Sequence, residues 1–282
     1  MKTGLVMEGG AMRGMFTAGV TDVLMENGIT FDGAIGVSAG ACFGCNYKSR
    51  QPGRAIRYNL AYCRDPRYCS LRSLLRTGDL YGVEFCYRTL PQMLDVFDLD
   101  AYRSNPMDFY VVCTDVETGE PVYHRCEDGG EADLDWIRAS ASMPLVSRVV
   151  PKDGYKLLDG GISDSIPLKA FEEMGFERNV VILTQPRSFV KQKAHGLSLL
   201  RTLMRRYPPV CRAMKNRHIA YNAAADYVRR QEEAGFALVI APAEALPVSR
   251  IEHHADRLKA AYDIGRKTAE ERLNEVRAFL AQ

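Results

Sequence analysis

Gly36-Val37-Ser38-Ala39-Gly40 has the form G-x-S-x-G. A serine held between small residues on a cramped strand-to-helix turn projects its hydroxyl clear of the backbone, where it can act as a nucleophile. Five residues with three fixed positions also fit a plain small-residue turn, so the flanks decide. Ala34 to Val37 reads as a strand and Ala39 to Tyr47 as a helix, which is the setting a nucleophile elbow requires. The free N–H groups at that helix start would favour negative charge developing beside Ser38.

Two further motifs supply complementary chemistry. Glu8-Gly9-Gly10-Ala11-Met12-Arg13-Gly14 lies between a strand and a helix. Glycines there let the backbone turn its N–H groups outward, suited to an oxyanion or a phosphate. A dinucleotide-binding turn is the rival reading, but Ala11 stands where G-x-G-x-x-G needs its second glycine, and the next strand ends in Ser38 instead of an acid. Asp159-Gly160-Gly161 follows the strand Lys156-Leu157-Leu158. By itself this is a turn signal. With the other two motifs it adds a carboxylate able to take the serine proton.

The three motifs, in this order and spacing, resemble the patatin-like phospholipases over roughly residues 3 to 185. The matching blocks are Gly9 to Gly14, Gly36 to Gly40 and Asp159 to Gly161, and Ala139-Ser140-Ala141-Ser142-Met143-Pro144 is similar to a lesser block of small residues before a proline. Ala11 departs from the third glycine of the family's loop, which questions any role needing positive φ there. The resemblance implies a Ser-Asp dyad without histidine: Ser38 as nucleophile, Asp159 as proton acceptor, and an acyl-enzyme hydrolysed by water. Backbone N–H groups of the Gly9, Gly10 and Ala11 loop, with Ala39, would form the oxyanion hole. Met12, Arg13, Gly14, Gly36, Val37, Gly40, Gly160 and Gly161 complete the motifs. Lipid or ester is the implied substrate, with no cofactor and no metal.

From the residues alone a triad stays open, with His195, His218, His253 or His254 as the third member. An unassisted aspartate near pH 4 is a poor base, so a dyad requires burial to lift its pKa. An inactive, lipid- or protein-binding member of the same fold and a nucleotide-binding α/β protein are the competing functions.

These motifs must be positioned by the elements around them. Strand Leu5–Met7, helix Met15–Asn27 with Gly28 as its stop, and the strand and helix around Ser38 make β-α-β-α, which argues for a parallel sheet covered by helices. Further along, the pattern predicts a hairpin from Asp108–Asp115 and Pro121–His124, a helix Asp133–Ser142, and strands around Asp153-Gly154. A helix Leu168–Met174 and a strand Val180–Leu183 follow. Beyond these come helices at His195–Arg206, Pro209–Ala234 and His254–Ala281, with one strand at Ala237–Ala241. The expected fold is a three-layer α/β/α domain with a mainly parallel central sheet, residues 1–190, and a mainly helical C-terminal region, residues 191–282, behind a soft boundary.

The composition of the 282-residue chain is that of an ordinary globular protein, 46% hydrophobic and 26% charged with net charge +2. That total argues against a nucleic-acid binder, and no recognition motif accompanies the local charge. Lys48 to Gly78 carries eight Lys/Arg against one acid, and Arg178 to Ala225 ten against none. Such segments suit peripheral contact with an anionic membrane, and equally fit solvated helix faces. The N-terminus lacks the apolar core of a secretory signal, and the eight cysteines are irregularly spaced, so a cytoplasmic protein with reduced thiols is expected. Cys42 and Cys45 form C-x-x-C without a second pair, so packing is preferred to zinc or redox chemistry.

Overall fold

The structure, a computed structural model, describes residues 1–193, 202 and 204–281. Eight strands among these form one sheet in the order β5-β6-β3-β2-β1-β7-β8, with β4 also paired to β3. Strands β1 (Lys2–Met7), β2 (Gly33–Val37), β3 (Asp108–Asp115), β7 (Phe176–Ile182) and β8 (Ala237–Ile240) run parallel. β4 (Pro121–Cys126) and β6 (Tyr155–Asp159) are antiparallel to β3, and β5 (Val150–Lys152) is antiparallel to β6.

The parallel strands are apolar on both faces, as a sheet covered on both sides requires. Leu5 and Met7 face a core shared with Phe16, Val20, Trp136 and Val276. Val6, Ile35 and Val37 face the other way, toward Phe171, Tyr221 and Val228. The first core is roofed by α1 (Gly14–Glu26), α2 (Ala39–Lys48), α6 (Glu131–Ser140) and α9 (Ala255–Leu280), the second by α7 (Leu168–Glu173) and α8 (Pro208–Glu233). This is the expected three-layer α/β/α arrangement with its helical C-terminal part.

The described residues from 204 to 281 are tied into this core. β8 extends the sheet at its edge beside β7, and α9 crosses α1 backbone to backbone. A Cβ on Gly19 would lie 2.1 Å from the Tyr262 carbonyl oxygen, and one on Gly265 2.1 Å from that of Phe16. Tyr262 donates to Asp22 Oδ2 at 2.7 Å, and Arg266 pairs with Glu26 at 2.7 Å. Coverage by α9 explains why α1 is buried nearly all round despite Thr17, Thr21 and Asp22. No helix among the described residues is long and apolar enough to cross a membrane.

The sequence pattern predicts no element over residues 79–107. That segment holds a π-helical stretch, Phe85–Leu94, with Pro91 inside it, then α5 (Leu99–Ser104). A π-helix shifts the buried face away from the 3.6-residue period, and the internal proline reads as a break. Between Lys48 and Gly78 lie α3 (Arg54–Tyr62) and α4 (Leu71–Thr77). Two of the basic residues there are buried: Lys48 donates to the carbonyls of Asn105 and Met107, while Arg54 donates to Asp95 O and Asn46 Oδ1. The helix expected at His195–Arg206 falls largely outside the described residues.

Candidate active site

Ser38 follows β2 directly and precedes α2, with φ 54° and ψ −117°. That left-handed backbone is strained for a residue with a side chain. It persists because the chain is clamped on both sides. A Cβ on Gly36 would sit 2.5 Å from Gly40 O, and one on Gly40 2.4 Å from Met7 O, so both flanking glycines are demanded by contact. Ser38 N–H donates to Ser140 Oγ at 2.9 Å, and Ser140 Oγ in turn donates to Val112 O at 2.6 Å.

Asp159 reaches Ser38 through strand pairing. β4 occupies one edge of β3 from Phe109 to Thr114, leaving the other edge to β2 and β6 in succession. Val37 pairs with Val112 and Asp159 with the next residue, Cys113. The C-terminal ends of β2 and β6 therefore meet, and Ser38 Oγ donates to Asp159 Oδ2 at 2.7 Å. The other carboxylate oxygen accepts from Gly161 N–H at 2.8 Å, Asp159 O from Thr114 Oγ1 at 2.8 Å, and Asp159 N–H donates to Ser142 O at 2.8 Å. Burial pushes the Asp159 carboxyl above the ordinary aspartate range, against the lowering pull of the Ser38 bond, the Arg217 charge and the Gly161 N–H. A hydroxyl bonded to a buried carboxylate of raised basicity is arranged for nucleophilic attack with the proton passing to the carboxylate.

The glycine loop comes alongside from β1. Glu8 is buried, its carboxylate accepting from Thr184 N–H at 2.5 Å and Tyr221 OH at 2.7 Å, which ties the loop to the segment after β7 and to α8. Gly9 N–H is directed to Ser165 O at 3.4 Å. The N–H groups of Gly10, Ala11 and Ala39 donate to no group among the described residues, and these residues border cavities opening on Ser38. They are available to an oxyanion. Ala11 takes φ 49°, so the left-handed turn is made without glycine, at a cost of about 1–2 kcal/mol. Met12 is buried in the apolar core beneath, and Gly14 lies where a Cβ would be 2.7 Å from that of Ala39. Gly160 packs against Val112 O, 2.1 Å from where a Cβ would stand.

No described histidine bonds to Ser38 or Asp159. His253 Nδ1 lies 2.7 Å from Cys63 O and His254 Nδ1 2.7 Å from Glu252 Oε1, His218 is on α8 with Nδ1 unpartnered among the described residues, and His195 lies outside the described residues. Cys42, half-buried, and Cys45, buried, form no disulfide, and desolvation pushes their thiols up to about 12 and about 11. Elsewhere His124, Cys126 and Asp133 offer ligand atoms within 4.8 Å of one another. One Asp133 oxygen there already accepts from the N–H groups of Asp128 and Gly129, and His124 is stacked on Trp136.

Two roles escaped the sequence reading. Ser140 appeared only inside a block of small residues, yet it holds the elbow. Ser140→Ala is expected to lower stability by about 1–3 kcal/mol by leaving the buried Ser38 N–H without its acceptor; an unchanged urea midpoint would show that the elbow does not lean on it. The second is a pair of cavities meeting at Ser38. One, about 1060 Å³ counted to its open mouth, is largely apolar and lined by Met12, Phe43, Tyr58, Tyr87, Leu90 and Ile137. The other, about 780 Å³, lies under the glycine loop and gathers Arg13, Lys191, Arg217 and Arg250. Three of those cations come from the C-terminal part, where no motif marked them.

A family model described as patatin-like phospholipase matches residues 5–172, and one described as a domain of unknown function matches residues 207–281. The chain is 35% identical over 190 residues to the uncharacterized protein YjjU of Escherichia coli K12, covering 64% of this chain and 52% of that one. It is 27% identical over 181 residues to the patatin-like phospholipase domain-containing protein ZK370.4 of Caenorhabditis elegans, covering 61% and 13%. To an uncharacterized NTE family protein of Mycobacterium tuberculosis it is 28% identical over 202 residues, covering 69% and 32%. It thus spans about half or less of the length of these relatives. Among solved structures it is similar to VipD from Legionella pneumophila, with TM-score 0.44 and 13% identity over 96% of this chain and 67% of that one.

Proposed function

We propose, from the premise that this chain belongs to the patatin-like phospholipase family, that it hydrolyses carboxylic esters of lipids through a Ser38–Asp159 dyad. The observation that carries the reading is the 2.7 Å bond from Ser38 Oγ to a buried carboxylate, at the junction of an apolar cavity sized for an acyl chain. Curated relatives named for patatin-like phospholipase and NTE families support it at the level of lipid hydrolysis.

In this reading Ser38 Oγ attacks the ester carbonyl carbon while its proton passes to Asp159 Oδ2. Negative charge gathers on the carbonyl oxygen, facing the N–H groups of Gly10, Ala11 and Ala39. Collapse expels the alcohol, which takes the proton from Asp159 and leaves an acyl-Ser38. Water then gives a proton to Asp159 and attacks the acyl carbon; the second collapse frees the carboxylic acid and returns the proton to Ser38 Oγ.

A fluorophosphonate probe should therefore form one covalent adduct, on the peptide carrying Ser38, by tandem mass spectrometry. A folded protein that stays unlabelled at Ser38, or labels on another serine, would remove Ser38 from the mechanism.

A further inference from the structure

The cavity under the glycine loop holds more positive charge than its own acids neutralise. Arg13 is supplied by the turn before α1, Lys191 by the segment after β7, Arg217 by α8, and Arg250 by the loop before α9. None of the four forms an ion pair among the described residues. The sequence has no acid between Arg178 and Ala225 to supply one. The two carboxylates in the cavity wall are already engaged: Glu8 by Thr184 and Tyr221, Asp159 by Ser38 and Gly161.

Two of the cations, Arg217 and Lys191, are held in place without being neutralised. Arg217 Nε donates to Gly161 O, beside Asp159. Lys191 Nζ lies 4.1 Å from the centroid of the Tyr221 ring, and Arg13 Nε is buried with no partner among the described residues. Burial, then the repulsion of Arg217, Arg13 and Arg250 against the pull of Glu8, brings Lys191 down to about 8. Crowded like charges of this kind are costly until an anion joins them, and guanidinium with ammonium groups around one cavity match phosphate oxygens.

We propose that this cavity binds a phosphate group, and that the substrate is an acyl ester whose alcohol part carries a phosphate anion without a compensating ammonium. The acyl chain would occupy the apolar cavity and the phosphate the cationic one, with the ester between them at Ser38. The assignment of substrate rests on the ester-hydrolase reading; the anion site itself does not. With both carboxylates engaged, the cavity has no free acid among the described residues to receive a choline-type cation, so zwitterionic headgroups are disfavoured.

Two measurements on the full chain test this. Calorimetric titration with inorganic phosphate should show binding, weakened at least about tenfold in Lys191→Met/Arg250→Met and retained in Lys191→Arg. Arg250→Met alone, at an exposed side chain, serves where the double variant does not fold. Turnover of a 1-acylglycerol 3-phosphate should exceed that of the monoacylglycerol and of the phosphocholine ester of the same chain in kcat/KM. That ratio should fall about tenfold or more in the double variant. Absence of phosphate binding, or binding indifferent to these substitutions, overturns the site. Phosphate binding with equal turnover of the three esters overturns the substrate assignment, leaving a site for free anion. Hydrolysis of none of them, with phosphate binding still sensitive to Lys191 and Arg250, would refute the hydrolase reading while supporting the anion site.

Discussion

Ser38→Ala is expected to lower kcat for a soluble p-nitrophenyl ester on the order of 10⁴-fold or more, because it removes the atom that forms the acyl-enzyme. Residual turnover would come from the free N–H groups and the cavity, which still bind ester and water. The fold should survive, since the elbow is fixed by backbone contacts of Gly36 and Gly40 and by the Ser140 bond, none of which uses the Ser38 hydroxyl. The buried Asp159 loses one donor and should become easier to protonate. Steady-state kinetics beside thermal unfolding separates the two effects. Turnover within tenfold of wild type in a folded variant would assign the chemistry to another group.

Asp159→Asn should cut kcat by about 10²–10⁴-fold, the usual contribution of a positioned base, and should stabilise the protein at neutral and alkaline pH. The sign follows from linkage. The folded-state carboxyl is raised above its unfolded value, so below the unfolded pKa both states hold the proton and no cost arises. As pH rises past that value the unfolded chain ionises first and stability drains away. Above the folded pKa the full cost of a buried carboxylate remains. Asparagine removes it while keeping an oxygen for Gly161 N–H and an amide for Ser38. The difference in melting temperature between variant and wild type should therefore grow with pH. In the wild type, kcat/KM should rise with pH along a limb set above the ordinary aspartate pKa. A variant less stable than wild type at pH 8, or an acid limb below pH 4, would contradict the raised, proton-accepting carboxyl.

Much of the site could be read in advance because its constraints are steric and local. Gly36, Gly40 and Gly160 are required by backbone atoms that leave no room for a Cβ, and such needs mark the chain at fixed offsets. Ala11 shows the limit of this reasoning: absence of glycine puts a positive-φ role there in question, yet alanine adopts it where the loop is anchored through Glu8 to Thr184 and Tyr221. The π-helical stretch Phe85–Leu94, a wall of the apolar cavity, was invisible because its turns follow neither the helical nor the strand period.

Residue types and short-range order were thus enough to establish the alternation of strands and helices, the strained serine turn, the glycine loop and an aspartate poised at a strand end. Which groups meet was settled by the folded chain. Asp159 joins Ser38 because β2 and β6 share one edge of β3, and the four cations converge from segments spread between residues 13 and 250. Steric demands of a turn act between neighbours along the chain and leave a pattern there. Strand register and helix packing act between residues a hundred or more positions apart, where one hydrogen bond or one charge leaves no periodic trace.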